Sequence, residues 1–71
     1  MTYSVGDFRK IGERRYVLES TDAKLMVFPS HEGDAFVVFG SHGGETFGGF
    51  AATEAEAKQA AVDWLNGKAA Q

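Results

Sequence analysis

Two short runs of the sequence, residues 24–28 and 35–39, are apolar at nearly every position. Both contain valine and phenylalanine, which favour β-strands. Successive side chains of a strand point to opposite faces of a sheet, so each run places apolar side chains on both faces. In the first run, Leu25 and Val27 point one way and Met26 points the other. The chain therefore predicts a sheet with two apolar faces, and both faces need cover.

Two more runs of β-forming residues complete this predicted sheet. The four predicted strands cover residues 15–19, 24–28, 35–39 and 45–51. Turn-forming residues separate them, and such short connections between consecutive strands predict an antiparallel meander. Pro29 is expected to end the second strand, because proline has no N–H to donate to a neighbouring strand.

The first dozen residues, 1–12, form either an N-terminal segment or an additional edge strand. Gly6 and Gly12 argue against a helix in this part of the chain. If residues 7–11 are a strand, Arg9 and Lys10 suit an edge that must avoid pairing with other chains.

A single α-helix is predicted over residues 53–66. Thr53 and Glu56 have the spacing of a capping box, in which each residue satisfies a backbone N–H of the other. The predicted buried face follows the helical period and consists of Ala57, Ala60, Ala61, Trp64 and Leu65. Asn66 and Gly67 supply a left-handed stop, so residues 67–71 are expected to form a frayed tail. The fold class is therefore α+β, a single domain over residues 1–71 with an antiparallel sheet at 14–51.

One helix of this length is about 20 Å long and covers one face of a sheet. Three explanations remain for the other face. The N-terminal segment can fold over it with Tyr3, Val5 and Phe8, two copies can pack sheet to sheet, or a partner protein can bind there. The pattern does not say which face carries the helix. If the helix covers the face with Leu25, the predicted contact residues are Met26, Phe28, Val37 and Phe39.

Composition narrows the classes of function. The chain has 71 residues, a net charge of −3 and no cysteine. It therefore has neither disulfides nor thiolate metal ligands, which fits a cytoplasmic protein. The sequence has neither a signal-peptide pattern that would suggest export nor an apolar run long enough to suggest a membrane span. Glu56 and Asp63 give the predicted helix an acidic outer surface, which is a second candidate for contact with a protein partner.

The basic residues near the N-terminus support an alternative function. Arg9, Lys10, Arg14 and Arg15 account for four of the seven lysines and arginines, and aromatic residues lie nearby in the sequence. Such a cluster can bind the phosphate backbone of DNA or RNA. A solvated edge hairpin is the competing interpretation, and the acidic net charge favours it.

No motif for catalysis or for a cofactor is present. His31 and His42 each lie in a turn-like segment with glycine and a carboxylate. Successive turns of a meander lie at opposite ends of the sheet, so these histidines are not expected to share a metal ion. We therefore predict a non-enzymatic protein without a cofactor, which binds a protein partner or itself.

Residues 50–65 resemble part of a known class of domain. Phe50, Thr53, the Glu54–Ala55 pair and Trp64 recur in the sheet-plus-helix arm-binding domains of phage-type tyrosine integrases. The resemblance implies a sheet backed by a helix, with DNA read by a basic sheet face. Residues 24–28 and 35–39 carry only one charge, that of Lys24. The resemblance therefore identifies no residue of this chain as a DNA contact. In size and charge the chain is similar to small phage-encoded inhibitors such as anti-CRISPR proteins.

Overall fold

The computed structural model describes residues 3–69 of the chain. A 3₁₀ turn (Val5–Asp7) precedes five strands and a C-terminal helix, α1 (Glu54–Ala69). The strands are β1 (Arg9–Gly12), β2 (Arg15–Glu19), β3 (Ala23–Pro29), β4 (Phe36–His42) and β5 (Glu45–Ala51). Each strand pairs antiparallel with the next one along the chain, in the order β1-β2-β3-β4-β5. The predicted α+β meander with one helix packed on it is confirmed.

The boundaries of β3 and β4 differ from the predicted ones. Pro29 is the last residue of β3 and pairs with Phe36, so its missing N–H falls where the ladder ends. β4 extends to His42, because Gly43 and Gly44 alone make the turn to β5, with φ angles of 58° and 87°. Two consecutive positive φ angles belong to the tight turn that matches the twist of a β-hairpin.

The predicted end of the helix at Asn66 is wrong. α1 continues through Gly67 to Ala69, and Gly67 is not among the residues with positive φ. The side chain of Asn66 binds the backbone of Tyr3, which holds Asn66 in the helix in place of a left-handed stop. The predicted tail at 67–71 is therefore helical as far as Ala69, and residues 70–71 lie outside the described part.

The start of the helix follows the prediction with one difference. The hydroxyl of Thr53 accepts the Glu56 N–H at 3.2 Å, as expected. The Glu56 carboxylate accepts from the Thr53 hydroxyl at 3.3 Å and does not reach the Thr53 N–H. One turn later, Lys58 donates to Glu54 at 3.3 Å, the ion pair typical of this spacing.

The core lies between α1 and the sheet face that carries Leu25 and Val27. Its buried residues are Leu18, Ala23, Leu25, Val27, Phe36, Val38, Ala57, Ala61, Val62 and Leu65. Ala60 and Trp64, expected to be buried, are only half-buried, and buried Val62 was not predicted. The two buried alanines of the helix let it approach the sheet closely, so the larger side chains of the strands fill most of the space.

The N-terminal segment does not cover the second face of the sheet. Tyr3, Val5 and Phe8 pack against the core, on the same side as α1. The backbone of Tyr3 is hydrogen-bonded to Asn66 of the helix, and its hydroxyl is hydrogen-bonded to the Ser20 hydroxyl at 3.2 Å. The first of the three explanations for the second apolar face is therefore wrong, and homodimerisation and a partner protein remain.

Candidate protein-interaction surface

The sheet face opposite α1, here called the outer face, is apolar across its centre. Strand register aligns Phe28 with Val37 and Val37 with Phe50. The adjacent row aligns Met26 with Phe39 and Phe39 with Gly48. The four predicted contact residues all lie on this face, because α1 packs on the face with Leu25.

The aromatic side chains of the outer face remain in contact with solvent. Phe39 is 47% exposed and Phe50 is 77% exposed, whereas Met26, Phe28 and Val37 are half-buried. Phe28 and Phe39 meet edge to face, with ring centroids 5.8 Å apart. This edge-to-face contact restricts the two rings while Phe39 stays largely exposed.

Phe50 was not among the predicted contact residues, although it is the most exposed large apolar side chain of the described residues. Its position follows from the two-residue turn at Gly43 and Gly44, which fixes the register and places Phe50 across from Val37. Recognising this two-residue turn in the sequence would have placed Phe50 on the same face as Val37.

An open depression of about 440 Å³ adjoins Phe39 on the outer face. It is lined by Lys24, Met26, Phe39, Gly40, Ser41 and Thr46. Gly48 lies beside Phe39 without a side chain to fill the space. The surface therefore offers a concavity next to an exposed ring, a shape that accepts an inserted side chain.

Charged residues border the apolar centre on the side of β1 and β2. Arg9 lies opposite Val17 and places its guanidinium 3.9 Å from the Glu19 carboxylate. Val17, although on the outer face, is only 5% exposed. Glu19 in turn lies opposite Lys24, so charged side chains line this border of the apolar centre.

The predicted acidic helix surface lies on the other side of the molecule. Glu56 and Asp63 are both exposed. Glu56 interacts with Thr53, and Asp63 accepts a hydrogen bond from Gln59 at 2.8 Å. These carboxylates are separated from the outer face by the sheet and do not form one surface with it.

The four predicted nucleic-acid contacts do not share a face. Arg9 and Arg15 lie on the outer face, by their register with Val17 and by strand alternation. Lys10 lies opposite Tyr16 on the helix side. Arg14, in the turn with φ 59°, places its guanidinium 5.1 Å from the centre of the Phe36 ring, also on the helix side. Two of the four basic residues therefore lie on the outer face and two on the helix side.

One cluster of titratable side chains joins the helix to the sheet. The Lys58 ammonium lies 3.5 Å from the centre of the Tyr16 ring and 3.3 Å from Glu54. Hydrogen bonding to Glu54, and to a lesser extent burial, raises the pKa of Tyr16 above 10.0. This cluster attaches the start of α1 to β2, and its groups already interact with one another.

The histidines lie apart, as the meander predicts. His31 is in the turn between β3 and β4, and His42 ends β4 with its ring 6.4 Å from Trp64. Within residues 3–69, no group of three or more histidine, cysteine or acidic side chains is arranged to hold a metal ion. Within the same residues, no helix is long and apolar enough to cross a lipid bilayer.

The outer face thus combines exposed aromatic rings, an adjoining depression and a charged border on a single sheet. Comparison with protein-family models, with curated proteins and with solved structures finds no match to this chain.

Proposed function

We propose that this chain is a non-enzymatic protein-interaction domain that binds a partner protein through the outer face of its sheet. The observation that carries the proposal is the uncovered apolar centre of that face, with Phe39 and Phe50 exposed. Contiguous exposed apolar surface is uncommon on proteins that act alone and marks sites of interaction. The N-terminal segment, which the sequence offered as one possible cover, packs on the opposite side.

The charges at the border favour a partner with a particular chemistry. Among strand residues of the outer face, Arg9, Arg15 and Lys24 are cationic and Glu19 is anionic. Glu19 forms an ion pair with Arg9 and lies across from Lys24. One carboxylate does not balance three cations, so these strand residues have an excess of positive charge. A partner that presents apolar side chains flanked by carboxylates would match both the centre and the border.

The two rings Phe28 and Phe39 are the best candidates for the energetic centre of such an interface. Aromatic residues in well-packed positions contribute most of the binding energy in protein complexes. Here each ring is already held by the other, so little side-chain entropy is lost on binding. The depression beside Phe39 provides the complementary pocket for a side chain of the partner.

The proposal is tested with charge substitutions in the centre of the face. The partner is first captured by crosslinking in the cells that make the protein, then purified and titrated against each variant. Phe39→Lys is expected to weaken binding at least about 30-fold, the effect of losing about 2 kcal/mol at a central contact. Gln59→Lys, on the exposed helix surface, adds the same charge and is the matched control.

The outcomes separate the competing explanations. If Phe39→Lys folds normally and binds the purified partner as tightly as the wild type, the proposal is wrong. If Phe39→Lys unfolds the chain, the ring belongs to the core, and Phe50→Lys, at the most exposed ring, repeats the test. If the captured molecule is a second copy of the chain and Phe39→Lys weakens its binding, the face is an interface of a homodimer.

Nucleic-acid binding, the alternative, makes a different prediction. Binding through Arg9, Lys10, Arg14 and Arg15 would weaken steeply as salt increases, because phosphate contacts release counterions. These four residues are divided between two faces of the sheet, so nucleic-acid binding has less support than protein binding through the outer face. A cytoplasmic location is part of the proposal, in keeping with a cysteine-free chain.

A further inference from the structure

The two edges of the sheet differ in how they are protected against pairing with another strand. β1 has four residues, carries Arg9 and Lys10, and has an irregular register with β2 between Lys10 and Gly12. Short length, positive charge and a bulge are the features that natural proteins use to block an edge. β5 has seven residues, regular pairing with β4 and no lysine, arginine or proline.

The backbone groups that β5 presents at its free edge can be assigned from the preceding turn. The tight turn at Gly43 and Gly44 makes His42 and Glu45 a hydrogen-bonded pair. Hydrogen-bonded and non-hydrogen-bonded pairs alternate along an antiparallel ladder. Thr46, Gly48 and Phe50 therefore point their N–H and C=O groups away from β4, towards the free edge.

We infer that β5 pairs antiparallel with β5 of a second copy of this chain, around a two-fold axis at Gly48. This interaction uses the edge of the sheet and is independent of partner binding at the outer face. In this register Gly48 faces Gly48 of the second copy, and Thr46 faces Phe50. All outward-pointing residues of both strands then form hydrogen-bonded pairs.

Other registers of the same two strands are less favourable. A shift by one residue in the pairing would place outer-face side chains of one copy beside helix-face side chains of the other. Centring the two-fold axis on Phe47 or Gly49 keeps the faces aligned but leaves an outward residue without a β5 partner. The axis at Gly48 is the arrangement that satisfies Thr46, Gly48 and Phe50 together.

The side chains and the charge of β5 are compatible with this register. Phe47 would lie across from Gly49, and Phe50 across from Thr46, so that each ring meets a small residue, which is favourable for strand glycines. Glu45, the one charged residue of β5, would lie across from Ala51 and at the opposite end from its own copy. Like charges are therefore kept apart.

The helices leave room for this pairing. α1 lies chiefly over β4, and a two-fold axis perpendicular to the sheet places both helices on the same side. The two β4 strands would be three strand spacings apart, about 14 Å. Packed helices approach to about 8–10 Å, so the two copies of α1 do not collide. The two outer faces would join into one continuous apolar surface.

Amide hydrogen exchange of the wild-type chain tests the register without any substitution. NMR measurements are made at a dilute and a concentrated condition. On concentration, the amides of Thr46, Gly48 and Phe50 are expected to exchange at least tenfold more slowly, whereas the inward amides of Phe47 and Gly49 change little. Equal exchange of Thr46, Gly48 and Phe50 at both concentrations would overturn the proposal.

N-methylation of the Gly48 backbone nitrogen, in a chemically synthesised chain, separates edge pairing from face packing. It removes the central N–H without altering any side chain, and sedimentation equilibrium is expected to show a monomer. Phe39→Lys is the counterpart and is expected to remain a dimer. The reverse result, with the methylated chain dimeric and Phe39→Lys monomeric, would assign self-association to the outer face and reject β5 pairing.

Discussion

The side-chain amide of Asn66 binds both backbone groups of Tyr3, although the two residues are 63 positions apart. Its oxygen accepts the Tyr3 N–H at 2.7 Å, and its nitrogen donates to the Tyr3 carbonyl at 3.0 Å. A single side chain therefore satisfies the backbone N–H and C=O of a residue that precedes the first strand and has no partner in the sheet. This pair attaches the N-terminal segment to the helix side and so leaves the outer face open.

Replacing Asn66 with alanine is expected to lower the free energy of unfolding by about 2 kcal/mol, at about 1 kcal/mol for each hydrogen bond. Urea unfolding followed by far-ultraviolet circular dichroism measures the change. Gln59→Ala, elsewhere on the helix, removes one exposed hydrogen bond to Asp63 and is the control. Equal stabilities for the two variants would show that the Tyr3 contacts contribute little.

Replacing Gly40 with alanine is expected to destabilise the sheet by about 2 kcal/mol, the usual effect of overpacking a rigid site. A Cβ atom at Gly40 would lie 2.6 Å from the Cα of Leu25, and that backbone is fixed by its pairing. Gly49→Ala is the matched control, because its Cβ would meet Val38 at an ordinary distance of 4.0 Å. Thermal unfolding of both variants checks the difference, and similar melting temperatures would contradict it.

Replacing Gly67 with alanine is expected to stabilise the chain by about 0.5 kcal/mol, because alanine favours a helix over glycine. No atom lies within 4 Å of a Cβ placed there, so the gain is not offset by a clash. A left-handed stop at Gly67 would instead make the substitution destabilising. The sign of the change in chemical-denaturant midpoint therefore also tests the length of α1.

The pKa of Tyr16 is expected to fall towards 10.0 in Glu54→Gln, because the carboxylate that favours its neutral form is removed. The pKa of Tyr16 is higher in the folded chain than in the unfolded chain, so the interaction of its neutral hydroxyl with Glu54 stabilises the fold fully below pH 10.0. It is lost as the pH rises through the raised value, since the unfolded chain releases the proton first. Ultraviolet titration in a Tyr3→Phe background leaves Tyr16 as the only tyrosine.

Strand positions could be predicted from the sequence because β-forming runs and turn residues are local signals. The runs at 15–19 and 45–51 match β2 and β5, and Thr53 marks the start of the helix. Local signals also explain the errors. Gly67 looks like a helix stop, but Asn66 is held in the helix by Tyr3, a contact that depends on the complete fold.

The candidate site was only partly predictable, for a physical reason. Leu25 and Met26 are similar in hydrophobicity, so the pattern cannot say which of them faces the helix. The choice depends on how the alanine face of α1 fits against Val27 and Val38, which are fully buried in the structure. It also depends on the N-terminal segment, whose side chains Val5 and Phe8 fit on the helix side.

The order of the strands has a consequence for how the chain reaches this structure. Every strand pairs with its immediate neighbour in sequence, so each hairpin closes over a short loop and loses little chain entropy in doing so. Sheets built from such local pairs form faster than those that require distant segments to meet. Rapid closure shortens the period in which nascent chains expose unpaired apolar strands. It thereby limits aggregation of a protein that keeps phenylalanine side chains exposed even when folded.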